Sequence, residues 1–326
     1  MALRRDTVLH ADMQRVIETL HRERTSVEPY ADQYRELLDN HGKMIRASLV
    51  LAFAHARARA RGNASAPAPD RLDDLVITGA AAIEMLHLAT LVHDDVLDGA
   101  PVRRNQPTVQ TIVGNKTAIY LGDLILTRYM EIMASIAPNL AFVREQSSTL
   151  REIVAGELMQ ESSRHDTTVS ADHYMQAIGG KTAALFRLAC LTGLRLSGDE
   201  APADAWITAA TNFGDHLGTA FQIVDDLQDF DLSKDTGKPK LEDIADGIYT
   251  LPVLLALRED PAMADILNDP QAVVTYFADH PQAMRESRSI ASYHVHEAAE
   301  ALDTVPMHEP IRTLLDTMLR RFDASI

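Results

Sequence analysis

The sequence predicts an all-α protein folded as a single domain over residues 1–326, and three observations carry that prediction. Helix breakers are scarce, with 15 Gly and 14 Pro in 326 residues, while Ala and Leu are abundant. Apolar residues recur at helical spacing, and alternating strand patterns are absent. A chain of this length can bury most of its apolar surface around one large core.

The periodicity places helices near 8–24, 28–38, 43–61, 71–97, 116–136, 140–164, 171–197, 203–231, 250–259, 283–302 and 309–323. Arg61 to Asp70, RGNASAPAPD, is too rich in Ala, Pro and small polar residues to pack and is expected to be mobile. Two more loops, Asp98 to Pro107 and Ser233 to Gly247, each follow an acidic motif. The stretch Val76 to Val92 is nearly all apolar but holds Glu84 and His87, and Ala118 to Ala137 carries Asp123, Arg128 and Glu131. Both read as helices buried in a large bundle, with no stable membrane insertion. Cys190, the single cysteine, lies in the apolar run Leu185 to Leu191 and reads as a small core residue in a reducing compartment. The N-terminal residues lack an apolar signal segment, so a cytoplasmic location is expected.

The formal charge of −16 argues against nucleic acid as a partner, because phosphate backbones are bound by basic surfaces. It fits a phosphorylated ligand only if divalent cations stand between protein carboxylates and phosphates.

The chemistry is carried by a repeated acidic motif. His93-Asp94-Asp95-Val96-Leu97-Asp98 closes the most apolar helix. Asp94 and Asp98 are one turn apart, roughly 6 Å along the axis, and Leu91 and His87 continue their face. A lone DDxxD is equally at home in a solvated turn. Asp225, Asp226 and Asp229 repeat the spacing after another apolar run, and Gln222 shares their face within about 100° of arc. Carboxylates ending two buried helices cost several kcal/mol each unless paired or metal-bound, roughly. Magnesium suits such oxygen ligands, whereas zinc would need Cys/His spacings that are missing.

The basic residues near these acids are few. Arg103 and Arg104 follow Asp98 after a proline, and arginine suits bidentate contact with phosphate oxygens. Lys43 and Arg46 stand three apart at a helix start, where backbone N–H groups also favour anions. Lys181 follows Gly179-Gly180, where the helix is expected to break, and Lys238 lies in the loop Gly237-Lys238-Pro239. Taken singly each reads as a surface charge; together they form a pattern.

The stretches GKMIR, EMLHLATLVHDDVLD, RRNQPTV, GNKTAIYLGD, GELMQ, GGKTAALF, GTAFQIVDDLQD and GKPKLEDIADGIYTLP occur in the order found in trans-prenyl diphosphate synthases, and the chain resembles that family over about residues 40–260. The resemblance implies an isoprenoid synthase helical bundle with a central active-site cavity. It implies condensation of isopentenyl diphosphate with an allylic diphosphate. By the same resemblance, Asp94 and Asp98 hold two Mg2+ ions on the allylic diphosphate with Asp95 close by. Asp225 holds a third ion, supported by Asp226 and Asp229. Arg103, Lys181 and Lys238 match positions that hold the allylic diphosphate. Lys43, Arg46, His87 and Arg104 match the isopentenyl diphosphate site, and Thr182 and Gln222 match groups lining the cation. The family also implies a homodimer. Met44 and Ala47 depart from the family's GKRxRP, and Leu241 and Ile248 stand where a Gly and a Lys are usual, leaving that lysine contact to Lys238.

Ala89 and Thr90, five and four residues before Asp94, are small where short-chain members place an aromatic floor. A product of C20 or longer is expected. A class I terpene cyclase would mix Asn, Ser/Thr and Glu in its second motif, and a noncatalytic regulatory subunit would tend to lose one aspartate motif. This chain keeps both.

Overall fold

The computed structural model describes residues 9–23, 27–40, 42–61, 72–103, 106–198, 200–230, 241–324 and 326, and helices make up nearly all of their regular structure. Cα packing divides the chain into two compact units, one of 1–147, 188–210 and 305–315, the other of 148–187, 211–304 and 316–326.

In the first unit α1 (His10–Arg22), α2 (Ala31–Asp39) and α3 (Ile45–Arg61) gather around α4 (Asp74–Leu97), which also packs along α6 (Asn115–Ser135). Helix α4 starts where the Asp73 side chain accepts from the Leu75 N–H at 3.3 Å, an N-cap that satisfies one otherwise unpaired donor. Its apolar residues are spread around the helix rather than on one stripe, and from Val76 to Leu86 nearly every residue is buried. Asp74–Leu97 is long and apolar enough to cross a membrane, yet 67% of its most apolar stretch is buried within the protein. Gly122 lets α6 lie against this helix, since a Cβ there would sit 2.5 Å from Nε2 of the His93 ring. A buried carboxylate, Asp12, joins α1 to α3 by accepting from Arg15 at 2.6 Å and meeting His55 Nε2 at 2.9 Å. Beyond α4, β1 (Val102–Arg103) and β2 (Gln106–Pro107) form a two-residue antiparallel ladder, followed by α5 (Val109–Val113).

The second unit holds most of α7 (Leu140–Glu161), then α8 (Ala171–Ile178), whose N-cap Ser170 accepts from the His173 N–H at 3.1 Å. After α9 (Ala184–Leu196) and α10 (Asp204–Asp229) come α11 (Glu242–Ala245), α12 (Leu251–Glu259), α13 (Pro270–Asp279), α14 (Gln282–Asp303) and α15 (Ile311–Asp323). Ile178, Ile223, Leu227, Leu251, Leu254, Val273 and Phe277 contribute to one apolar core there. Cys190 is fully buried, as its apolar neighbours predict.

Several features differ from the sequence prediction, among them the short helices α5 and α11, the latter within the loop expected over Ser233–Gly247. Gly179-Gly180 does not break the helix: residues Gly179–Ala183 form a π-turn, and the backbone stays helical from α8 into α9. The α13 helix and the short ladder were not predicted. Asp269 caps α13 by accepting from the Gln271 and Ala272 N–H groups at 3.0 and 3.2 Å, with Pro270 at its first position. That Asp-Pro pair is a legible start signal. The Arg61–Asp70 loop lies outside the described residues beyond Arg61, as does most of Ser233–Gly247.

Candidate active site

The first acidic motif forms the last turn of α4. Asp94 is half-buried, Asp98 is exposed as the C-cap, and the Asp98 N–H donates to the Asp94 carbonyl at 2.8 Å. Asp95 points the other way: it is buried and its Oδ1 accepts from Arg103 Nε at 2.6 Å. The intervening loop is pinned, because Thr108 Oγ1 and Gln110 Nε2 both donate to the Ala100 carbonyl at 2.7 Å.

Gly42 and Met44 both have positive φ, 60° and 52°, so the chain makes a tight left-handed turn that leaves Lys43 exposed. Arg46 is buried, and desolvation lowers its guanidinium to about 10 despite the nearby Glu84 carboxylate. Glu84 of α4 is buried too, and its Oε1 accepts from the Ala47 N–H at 2.8 Å. Helix α4 thereby holds the first turn of α3. His87, one turn further on, lines a small cavity with Leu20, Leu38, Asn40, Leu88 and Leu91. Ala89 is buried, whereas Thr90 is partly exposed and its Oγ1 donates to the His87 carbonyl at 2.8 Å.

The second acidic motif ends α10 and repeats the arrangement. Asp225 is exposed and Asp229 half-buried; Asp229 Oδ1 accepts from the Leu241 N–H at 3.0 Å. The middle aspartate, Asp226, is buried. Its Oδ2 accepts from the Tyr174 hydroxyl at 2.5 Å and its Oδ1 from Gln222 Nε2 at 2.8 Å. Burial is the largest influence on this carboxyl and pushes it well above the usual carboxylate range. Gln222 Oε1 in turn accepts from Thr182 Oγ1 at 2.6 Å. Thr182 and Lys181 ride on the π-turn, and Lys181 Nζ meets Glu157 of α7 at 3.0 Å. The turn is seated closely: a Cβ on Gly180 would lie 2.8 Å from the Glu152 carbonyl and 3.1 Å from Gly156 Cα. A polar cavity beside this network is lined by His173, Tyr174, Lys181, Gln222, Asp226 and Asp243 among others, with Ile248 at its wall.

With this geometry in hand, comparison with known proteins is decisive. The polyprenyl synthetase family profile matches residues 27–276. The chain belongs to the polyprenyl synthetase family. The chain is 33% identical over 234 residues to the chloroplastic/mitochondrial solanesyl diphosphate synthase 3 of Arabidopsis thaliana, an alignment covering 70% of the chain and 54% of that protein. The chain thus spans about half the length of that relative. It is 32% identical over 248 residues to heptaprenyl diphosphate synthase component 2 of Geobacillus stearothermophilus, covering 74% of the chain and 76% of the relative. Among solved structures, the polyprenyl synthase of Caulobacter crescentus, crystallised with calcium and isoprenyl diphosphate, superposes with a TM-score of 0.83 at 28% identity. That match covers 98% of this chain and 96% of the other. The all-α isoprenoid synthase fold is therefore shared.

Of the positions expected to act, Arg104 and Lys238 lie outside the described residues. The others divide by unit. The first holds Lys43, Arg46, His87, Ala89, Thr90, Asp94, Asp95, Asp98 and Arg103; the second holds Lys181, Thr182, Gln222, Asp225 and Asp229. Each unit by itself offers carboxylate oxygen, the donor that suits divalent magnesium: partly or fully exposed Asp94 and Asp98 in the first, exposed Asp225 in the second. Among the described residues no three His, Cys, Asp or Glu side chains form a ready metal cage. Sequence reasoning overlooked Glu84 and Tyr174 as parts of the site. Glu84 had a signal, being an acid inside an apolar helix; Tyr174 had none.

Proposed function

We propose that this chain is a Mg2+-dependent trans-prenyltransferase that condenses isopentenyl diphosphate with an allylic diphosphate, head to tail, to give a polyprenyl diphosphate of C20 or longer. The observation that carries the reading is the repeated design of the two DDxxD turns. In each, the middle aspartate is buried in a local hydrogen-bond network while the first aspartate faces outward.

Asp94 and Asp98 would hold two ions and Asp225 and Asp229 a third. When bound, magnesium would supply charge neutralisation for the departing diphosphate. Arg103, Lys181 and Lys238 would bind that diphosphate, gaining strength as its charge grows in the transition state. Lys43, Arg46, His87 and Arg104 would hold isopentenyl diphosphate and align its double bond. Thr182 and Gln222 would face the allylic cation. Small Ala89 and Thr90 would leave room for a long chain. The protein would act as one domain of 326 residues, in the cytoplasm, without stable membrane insertion, which the burial of α4 supports. A homodimer is supported by the exposed apolar side chains Ile119, Tyr120 and Met130 on α6.

The test is incubation with labelled isopentenyl diphosphate, Mg2+ and each of three allylic primers, followed by chain-length analysis. We expect one discrete product of C20 or longer, abolished by a chelator and by Asp94→Ala or Asp225→Ala. A cyclised hydrocarbon would indicate a class I terpene cyclase. No incorporation by folded protein would indicate a noncatalytic subunit needing a second component. Near-normal turnover in both aspartate variants would overturn the site assignment.

A further inference from the structure

Four side chains in the second unit form a hydrogen-bond chain with a fixed direction. The Tyr174 hydroxyl meets Asp226 Oδ2 at 2.5 Å, Gln222 Nε2 donates to Asp226 Oδ1 at 2.8 Å, and Thr182 Oγ1 donates to Gln222 Oε1 at 2.6 Å. The amide of Gln222 has one donor end and one acceptor end. Asp226 sets which is which. In this arrangement both of its oxygens accept, Oδ2 from the Tyr174 hydroxyl and Oδ1 from Gln222 Nε2. By donating to Oδ2, the Tyr174 hydroxyl holds the carboxyl in the orientation that turns Oδ1 to the Gln222 amide N–H. Gln222 must then turn its carbonyl to Thr182, and the single proton of the Thr182 hydroxyl is spent on that carbonyl. What Thr182 has left for a ligand is lone pairs.

We infer that Tyr174 is a positioning residue that acts through Asp226 and Gln222 to present Thr182 as a pure acceptor to the positive charge of the allylic intermediate. This rests on the prenyltransferase reading of the site. Tyr174 is also a buried core residue of α8, packed among Ile178, Ile223 and Leu251, so a purely structural role is the competing account. The two differ in what the hydroxyl does, because Tyr174→Phe keeps the ring and removes only the directing group.

Binding is measured for two ligands in the presence of Mg2+ and inorganic pyrophosphate: an ammonium analogue of the allylic cation and its neutral carbon isostere. Tyr174→Phe is expected to weaken the ammonium analogue by roughly 10-fold, the scale of one hydrogen bond to a charged group. The neutral isostere should bind as to the wild type. In a Gln222→Leu background the added Tyr174→Phe should have no further effect on that ratio. Gln222→Leu alone, which removes both ends of the amide, provides a second variant and should show the same selective loss. Equal weakening of both ligands, or a full Tyr174→Phe effect persisting in Gln222→Leu, overturns the inference while the wild type still incorporates isopentenyl units. A wild type that incorporates none overturns the underlying site reading instead.

Discussion

Arg103 Nε donates to Asp95 Oδ1 at 2.6 Å, folding the loop after α4 back onto the helix that carries the first acidic motif. The middle aspartate is therefore an anchor for an arginine rather than an outward-facing acid. That bond uses one of the five N–H donors of the guanidinium, and the others suit a phosphate.

Arg103→Ala should lower kcat/KM for the allylic diphosphate by roughly 10–100-fold, a charge-assisted hydrogen bond being the quantity lost. Asp95→Asn should cause a smaller loss of the same kind, since the amide can still accept. Steady-state kinetics with both substrates varied would check this. A KM for isopentenyl diphosphate that rose instead would contradict the assignment of Arg103.

Glu84 ties α4 to the first turn of α3 through the Ala47 N–H, beside buried Arg46. Glu84→Gln keeps an acceptor but removes the charge that offsets the desolvation of Arg46. It should raise KM for isopentenyl diphosphate several-fold and leave the allylic KM unchanged. Glu84→Ala should in addition cost about 1–3 kcal/mol, read as a lower urea midpoint, because a buried N–H loses its partner.

Thr90 and Ala89 are not equivalent probes of chain length. Ala89 is buried in the packing of α4, so Ala89→Phe should overpack the core and destabilise the protein by roughly 1–3 kcal/mol. Thr90 is partly exposed, so Thr90→Phe should leave folding intact and shorten the product. An unchanged product distribution would show that the floor lies elsewhere.

His216 and His294 bring their Nδ1 atoms to 2.8 Å. Burial, and then the charge of His216, hold His294 down to about 4; burial holds His216 below its usual value too, against the opposing pull of Glu297. Unfolded histidine titrates near 6.5, about its ordinary value. Below that pH the unfolded chain binds protons the folded one refuses, so stability is full above about pH 6.5 and declines toward about pH 4. Urea midpoints measured across this range should fall, and His294→Asn should flatten the decline. An unaltered slope in the variant would assign the acid loss to other groups.

Much of this architecture is legible in the sequence because it is local. Helix α10 was expected over 203–231 and runs over Asp204–Asp229, and the run predicted over 43–61 becomes Ile45–Arg61, since helical periodicity needs only neighbours three and four residues away. The glycine pair at 179–180 misled for a related reason. Glycine lowers helix propensity by itself, but close seating of Gly180 against Gly156 makes the absence of a side chain there a packing requirement, and the helix continues through a π-turn.

The sequence by itself determined the fold class and the outward aspartates Asp94, Asp98 and Asp225, because both follow from spacing along single helices. Only the tertiary structure decided what the middle aspartates and their partners do. Tyr174 meets Asp226 across 52 residues, Thr182 meets Gln222 across 40, and Glu84 meets Ala47 across 37. A hydrogen bond has a direction and a reach of about 3 Å, and one-dimensional spacing carries neither. Helix packing brings these donors and acceptors together, and the cost of burying them unpaired holds them there.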